Sequence, residues 1–168
     1  MAHYHIEDEF EIDADAYWDM FFDADFSAAM FEAIDVRYEL LKFEMKGEGP
    51  TQTLSRIQRL TPKREVPKLF RKFVDDAISY EEHNEWTRAS GKMSVVTIPN
   101  FLGDKVTSDG TYWVESRGPG RCARLFDGRV EVRVPLVGGK AESVLVDEIK
   151  ESYAKATVFT KRWIAKQG

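Results

Sequence analysis

The chain has 168 residues, of which 43% are hydrophobic and 32% charged, with a net charge of −5 and one cysteine. That length suits one domain spanning 1–168, able to bury about two-thirds of the surface its unfolded form exposes. A lone Cys122 excludes an intramolecular disulfide and a Cys-rich zinc cluster, and a pI near 5.3 without aromatics interleaved among the bases argues against nucleic acid binding.

Residues 1–35 hold eleven carboxylates and no Lys or Arg, so the other 133 residues carry 18 acids against 24 bases. The acidic segment is expected to lie against the basic remainder. The densest bases run from Arg56 to Lys72. With no basic leader followed by an apolar run, and no apolar window long enough to cross a bilayer, a soluble cytoplasmic protein is expected.

Residues 4–12 alternate strictly, with Tyr4, Ile6, Asp8, Phe10 and Ile12 on one face, which predicts a half-buried strand. Asp13 or Asp15 is placed to cap a short helix carrying Tyr17, Trp18, Phe21 and Phe22. Asp23 or Asp25 would cap a second, with Phe26, Met30, Phe31 and Ile34. From Val36 the period returns to two. Val36, Tyr38, Leu41, Phe43 and Met45 face inward if one residue near Leu40 is bulged.

The turn "GEGP", Gly47 to Pro50, leads into a return strand from Thr51 to Leu60. Val66, Leu69, Phe70, Phe73 and Val74 then fall at helical spacing and predict a short amphipathic helix or lid. Four more strands are expected over about 78–88, 92–98, 105–116 and 121–134. Asp109-Gly110 and Asp127-Gly128 read as hairpin turns or, better for long continuous strands, as glycine bulges.

A final helix follows Gly138-Gly139 and runs to about Lys166. Ala141, Leu145, Ile149, Ser152, Tyr153, Ala156, Phe159, Thr160 and Trp163 share one stripe of it. At roughly 39 Å it matches ten- to twelve-residue strands, so it can lie across the concave face of a curved antiparallel sheet. Pro135 ends the preceding strand, and the two glycines are expected to permit the reversal.

The resulting class is α+β: about seven strands in the order β-α-α-β-β-(short α)-β-β-β-β-α, wrapped around a long C-terminal helix. This order resembles the helix-grip, START-like superfamily of lipid-transfer domains, birch-allergen-like proteins and polyketide cyclases. The stretch "GRVEVRVPLVGGKAESVLVDEIKESYAKATVFTKRWI" resembles the C-terminal signature of the bacterial family "domain of unknown function 2505". Pro135, Leu136, Gly138, Gly139, Glu142 and the "FTKRWI" ending carry the similarity. The resemblance implies the fold and an apolar ligand cavity, and supplies no catalytic residues.

Polar residues on the inward phase are the candidate site. Tyr80, Glu82, Asn84 and Trp86 alternate on one strand, and Arg124 lies on the last. Either Arg124 and Glu82 anchor the head of an amphipathic ligand between walls of Trp86, Tyr112, Tyr153 and Trp163, or Arg124 pairs with Asp8 or Glu82 to close the core. Small residues at Ser152, Ala156 and Thr160 leave room for a cavity, unless Tyr80, Trp86, Tyr112 and Trp113 fill it. The lid residues Leu69, Phe70 and Phe73, among lysines and arginines, either contact an anionic membrane surface transiently or simply cover the sheet.

His3 and His5 share a strand face without a third ligand, so no metal is expected, and no nucleotide or cofactor motif is present. Cys122 reads as a small buried hydrophobe. Binding of a small hydrophobic or amphipathic ligand without catalysis is the leading expectation. A cyclase- or isomerase-like enzyme using Glu82 or Asp8, or an interaction module with a vestigial pocket, are the alternatives.

Overall fold

In the computed structural model, which describes residues 1–167, strand β1 (Ala2–Phe10) is followed by helices α1 (Ala14–Phe21) and α2 (Ala24–Ala33). Strands β2 (Val36–Lys46) and β3 (Thr53–Pro62) precede a six-residue 3-10 turn at Lys68–Phe73. Then come β4 (Tyr80–Thr87), β5 (Lys92–Pro99), β6 (Val106–Ser116), β7 (Cys122–Val132) and α3 (Gly138–Gln167). The seven strands form one antiparallel sheet ordered β1-β7-β6-β5-β4-β3-β2, so β1 and β2 are its edges. No described helix is long and apolar enough to cross a membrane.

Charge complementarity fixes the first edge. Arg117, Arg121 and Arg124 reach Glu7, Glu9 and Asp8 of β1, and Arg88 reaches Asp15 and Asp19 of α1. The acidic segment therefore does meet bases, although among the described residues the run from Arg56 to Lys72 gives it no ion pair and touches it through Arg56 over Phe21 and Phe22 and through the Lys63 N–H on the Asp35 carbonyl. Asp23 caps α2 by accepting from the backbone N–H groups of Asp25 and Phe26. Asp13 stands at the N-cap of α1, but its carboxylate accepts from Gly120 N–H at 2.7 Å and so ties the β6–β7 turn to the helix.

Four expectations change. The register of β2 shifts between Leu40 and Lys42 as anticipated, yet Leu41 and Phe43 are 45% and 42% exposed. Leu41 is the residue that the register skips, and Phe43 lacks cover: α2 packs on β2 where Phe31 stacks on Tyr38, whereas α3 packs chiefly on β1 and β7. The predicted lid helix is a 3-10 turn, with Phe70 buried against Phe101 at 5.2 Å between ring centroids.

Nor are the glycines bulges. Gly110 pairs with Gly128 in unbroken ladders, and the Tyr4 ring lies across Gly128, where a Cβ would come within 2.2 Å of Tyr4 Cζ. The reversal before α3 also works differently. The positive φ, 70°, falls on Leu136, while Gly138 permits close approach to Val132, whose carbonyl oxygen would lie 2.3 Å from an added Cβ. Glu142 completes the junction by accepting from Val132 N–H at 3.0 Å, which holds its carboxyl below the usual range.

Candidate functional site: a cavity beneath the lid

Because α3 leans toward β1 and β7, space remains over the middle of the sheet. There a cavity of about 160 Å³ is enclosed by β4, β5, β6 and β7 below, by Leu145, Ile149, Ser152 and Tyr153 of α3 above, and by Val66, Pro67 and Phe70 of the lid. The strands contribute their inward phases: Tyr80 and Glu82, Val95 and Thr97, Val106 and Ser108, Phe126 and Val130. Tyr4 comes in from β1, tilted over Gly128. At the mouth, Arg64 of the lid loop forms an ion pair with Glu148 of α3.

Glu82 is the carboxylate set deepest in this wall. Its Oε1 accepts from Gln58 Nε2 at 3.1 Å and from Asn84 Nδ2 at 3.2 Å, and Asn84 Oδ1 in turn accepts from Arg56 Nε at 3.0 Å. Among the described residues nothing donates to Oε2. Burial, and then the charge of Glu82, raise the hydroxyl pKa values of Tyr4, Tyr80 and Tyr153. These phenols therefore stay neutral and able to donate.

The other end of the interior is filled. Trp18 lies 5.4 Å from Trp86 and 5.7 Å from Tyr112 between ring centroids, and Tyr17 and Tyr112 share a 2.5 Å hydrogen bond. Arg124, 4% exposed, donates to Asp8 at 2.6 Å and to Thr157 at 2.8 Å, and its guanidinium lies over the rings of Phe10, Tyr112 and Tyr153. Among the described residues its buried Nε and the Trp86 indole N–H have no partner. Arg56, 3% exposed, sits over Phe21 and Phe22.

Of the residues expected at a site, the structure therefore brings Tyr80, Glu82, Tyr153 and the lid residue Phe70 to the cavity. Asn84 stands behind Glu82, and Leu69 and Phe73 pack beneath the lid. Trp86, Tyr112 and Arg124 do not line the cavity, because the aromatic residues of α1 occupy the space in front of them. Trp163 packs on Phe26 and Phe159, away from it. Trp113 faces outward, where its indole donates to Glu115. Arg124 pairs with Asp8 and not with Glu82, so the two do not form a joint anchor. Cys122 is buried, which pushes its thiol up to about 11.

Arg56 and Gln58, buried at 3% and 2%, were not anticipated. Their signal was present: they alternate in phase with Leu54 and Leu60 on β3. Thr97, Ser108 and Phe101 also went unmarked, since nothing in the sequence says where a sheet will be left uncovered.

A seven-stranded sheet gripping a long helix over an internal cavity defines the START-like, helix-grip class, and solved structures agree. The chain is similar to a START superfamily protein from Mycobacterium smegmatis, with 14% identity over 99% of each chain and a TM-score of 0.61. It is similar to the Zhui aromatase/cyclase from Streptomyces sp. R1128, at 12% identity over 96% of this chain and 93% of that one, TM-score 0.59. Norcoclaurine synthase from Thalictrum flavum aligns at 17% identity over 99% and 95%, TM-score 0.61. Within the class, the chain belongs to the family described as "Protein of unknown function (DUF2505)", whose model matches residues 5–164. No curated protein matches it.

Proposed function

We propose that the protein is a non-enzymatic binding or transfer module that holds a small apolar or amphipathic molecule between the sheet and α3. The observation that carries this reading is the cavity, apolar over most of its wall and polar at few points. Its volume limits the occupant: an apolar cavity of about 150 Å³ holds one benzene molecule. The closed form thus suits a ring-sized ligand, and a longer one requires the lid to swing out. Lys68, Arg71 and Lys72 are exposed on that lid and suit transient contact with an anionic membrane surface in the cytoplasm.

Native mass spectrometry of freshly purified protein, followed by organic extraction, tests the proposal. A retained small molecule, lost on substituting Phe70→Trp beneath the lid, supports it. A preparation that carries nothing and binds no member of a lipid and aromatic panel removes it. The second reading, a cyclase- or isomerase-like enzyme, is favoured by one feature, the Glu82 carboxylate exposed to the cavity. It predicts turnover of a bound ligand that Glu82→Gln abolishes while binding persists.

A further inference from the structure

The lining carries four charged side chains, Arg64, Glu65, Glu82 and Glu148, for a formal balance of −2. The one cation is engaged at the mouth by Glu148. Glu65 reaches outward to Arg71 at 3.7 Å and is 94% exposed. Inside, only Glu82 brings a charge to the wall, and one of its two oxygens is already held by Gln58 and Asn84. The buried Arg56 lies behind Asn84, bonded to its amide oxygen, and attracts the Glu82 charge from there without reaching the carboxylate's hydrogen bonds.

Among the described residues nothing donates to the second oxygen, which is left open to a donor on whatever enters the cavity. Tyr4 and Tyr80 bring their phenol rings to the same cavity, whereas the ring of Tyr153 is already stacked on Phe126 and covered by the Arg124 guanidinium. Ring faces and a carboxylate both attract a cation, and both repel an anion. A fatty acid headgroup would meet the Glu82 carboxylate at close range, whereas an ammonium would meet a charge-assisted acceptor.

We propose that the cavity selects a protonated amine carried on a ring-sized apolar body, with Glu82 Oε2 accepting from the ammonium and the rings of Tyr4 and Tyr80 beside it. This rests on the binding reading above and names its ligand class. Isosteric probes that differ only in charge test it: benzylamine, benzyl alcohol and benzoate, titrated at pH 7 by ligand-detected NMR into the full chain and into Glu82→Gln. Benzylamine is expected to bind at least about tenfold more tightly than benzyl alcohol, with benzoate weakest, and Glu82→Gln to abolish the preference for the amine.

Benzoate binding as well as benzylamine, or an amine preference that survives in Glu82→Gln, would overturn the inference and leave the binding module intact. Failure of all three probes to enter would overturn both. Should Glu82→Gln fold poorly, the charge series on the unaltered protein and on Glu82→Asp, which keeps the charge, decides the question.

Discussion

The two ends of the interior are built from the same alternation on the same sheet, yet one is solid and the other hollow. At the α1 end, Trp18, Phe21 and Phe22 descend onto Trp86 and Tyr112, and the polar groups that remain are mostly spent on one another. At the lid end, a six-residue 3-10 turn replaces a helix, and Glu82 keeps an oxygen to which no side chain among the described residues donates. What differs is the covering layer. The solid end supplies stability, which frees the hollow end to be underpacked.

The largest test of that division is Trp86→Ala. Trp86 is 1% exposed and packs 4.9 Å from Phe22 between ring centroids, so its truncation should cost about 3–5 kcal/mol in urea denaturation. Occupancy of the lid-end cavity should persist in whatever remains folded. A cost under about 1 kcal/mol would show that the solid end is not what supports the fold.

Gly110 and Gly128 face each other across β6 and β7 but meet different neighbours. A Cβ on Gly110 meets backbone, 2.4 Å from the Asp127 carbonyl oxygen, and cannot be accommodated by turning a side chain. One on Gly128 meets the Tyr4 ring, which has the cavity to move into. Gly110→Ala should therefore cost about 1–3 kcal/mol, and Gly128→Ala less. Gly128→Ala should nonetheless lose ligand, because Tyr4 is pushed into the space. Equal stability loss with unaltered binding would contradict the placement of Tyr4.

Glu142 at the β7–α3 junction gives a smaller effect with a defined pH sign. Its carboxylate is favoured in the folded state by the Val132 N–H, so its pKa is lower folded than unfolded. The stability it adds is complete above the ordinary glutamate value of about 4.3 and is lost as acid takes the pH through the lower folded value. Glu142→Gln should cost about 1 kcal/mol at pH 7 and flatten stability below pH about 4.3 relative to the unaltered chain. Thermal melts across that range measure it.

How much of this was legible follows the same division. Strand and helix periods, the capping Asp23, and the long amphipathic stripe of α3 are local, and they placed every main element and the inward phase holding Glu82 and Arg124. The sequence does not record lateral position. That α3 settles over β1 and β7 depends on packing among distant residues, and this leaves Phe43 facing solvent and Glu82 facing a cavity. Gly110 and Gly128 look the same as bulge glycines until Tyr4, more than a hundred residues away, is laid over one of them. Arg56 and Gln58 were readable by phase, but a charged residue within a basic run suggests solvent first.

The smallest effect on stability bears most directly on the hollow end. Arg64 and Glu148 close the mouth, and both are about a third exposed, so the pair contributes roughly 0–1 kcal/mol. That is negligible against the whole fold and large against a local equilibrium. Removing up to about 1 kcal/mol from the closed state raises the open population about fivefold. Glu148→Gln should therefore leave the denaturation midpoint nearly unchanged and speed release of a bound hydrophobic dye several-fold. Salt gives the control. At 1 M ionic strength, where screening acts within about 3 Å, the unaltered chain should release dye as fast as the variant does, and the variant should not respond. A salt response that persists in Glu148→Gln would mean that the lid is held by something other than this pair, and would turn attention to the Phe70–Phe101 contact instead.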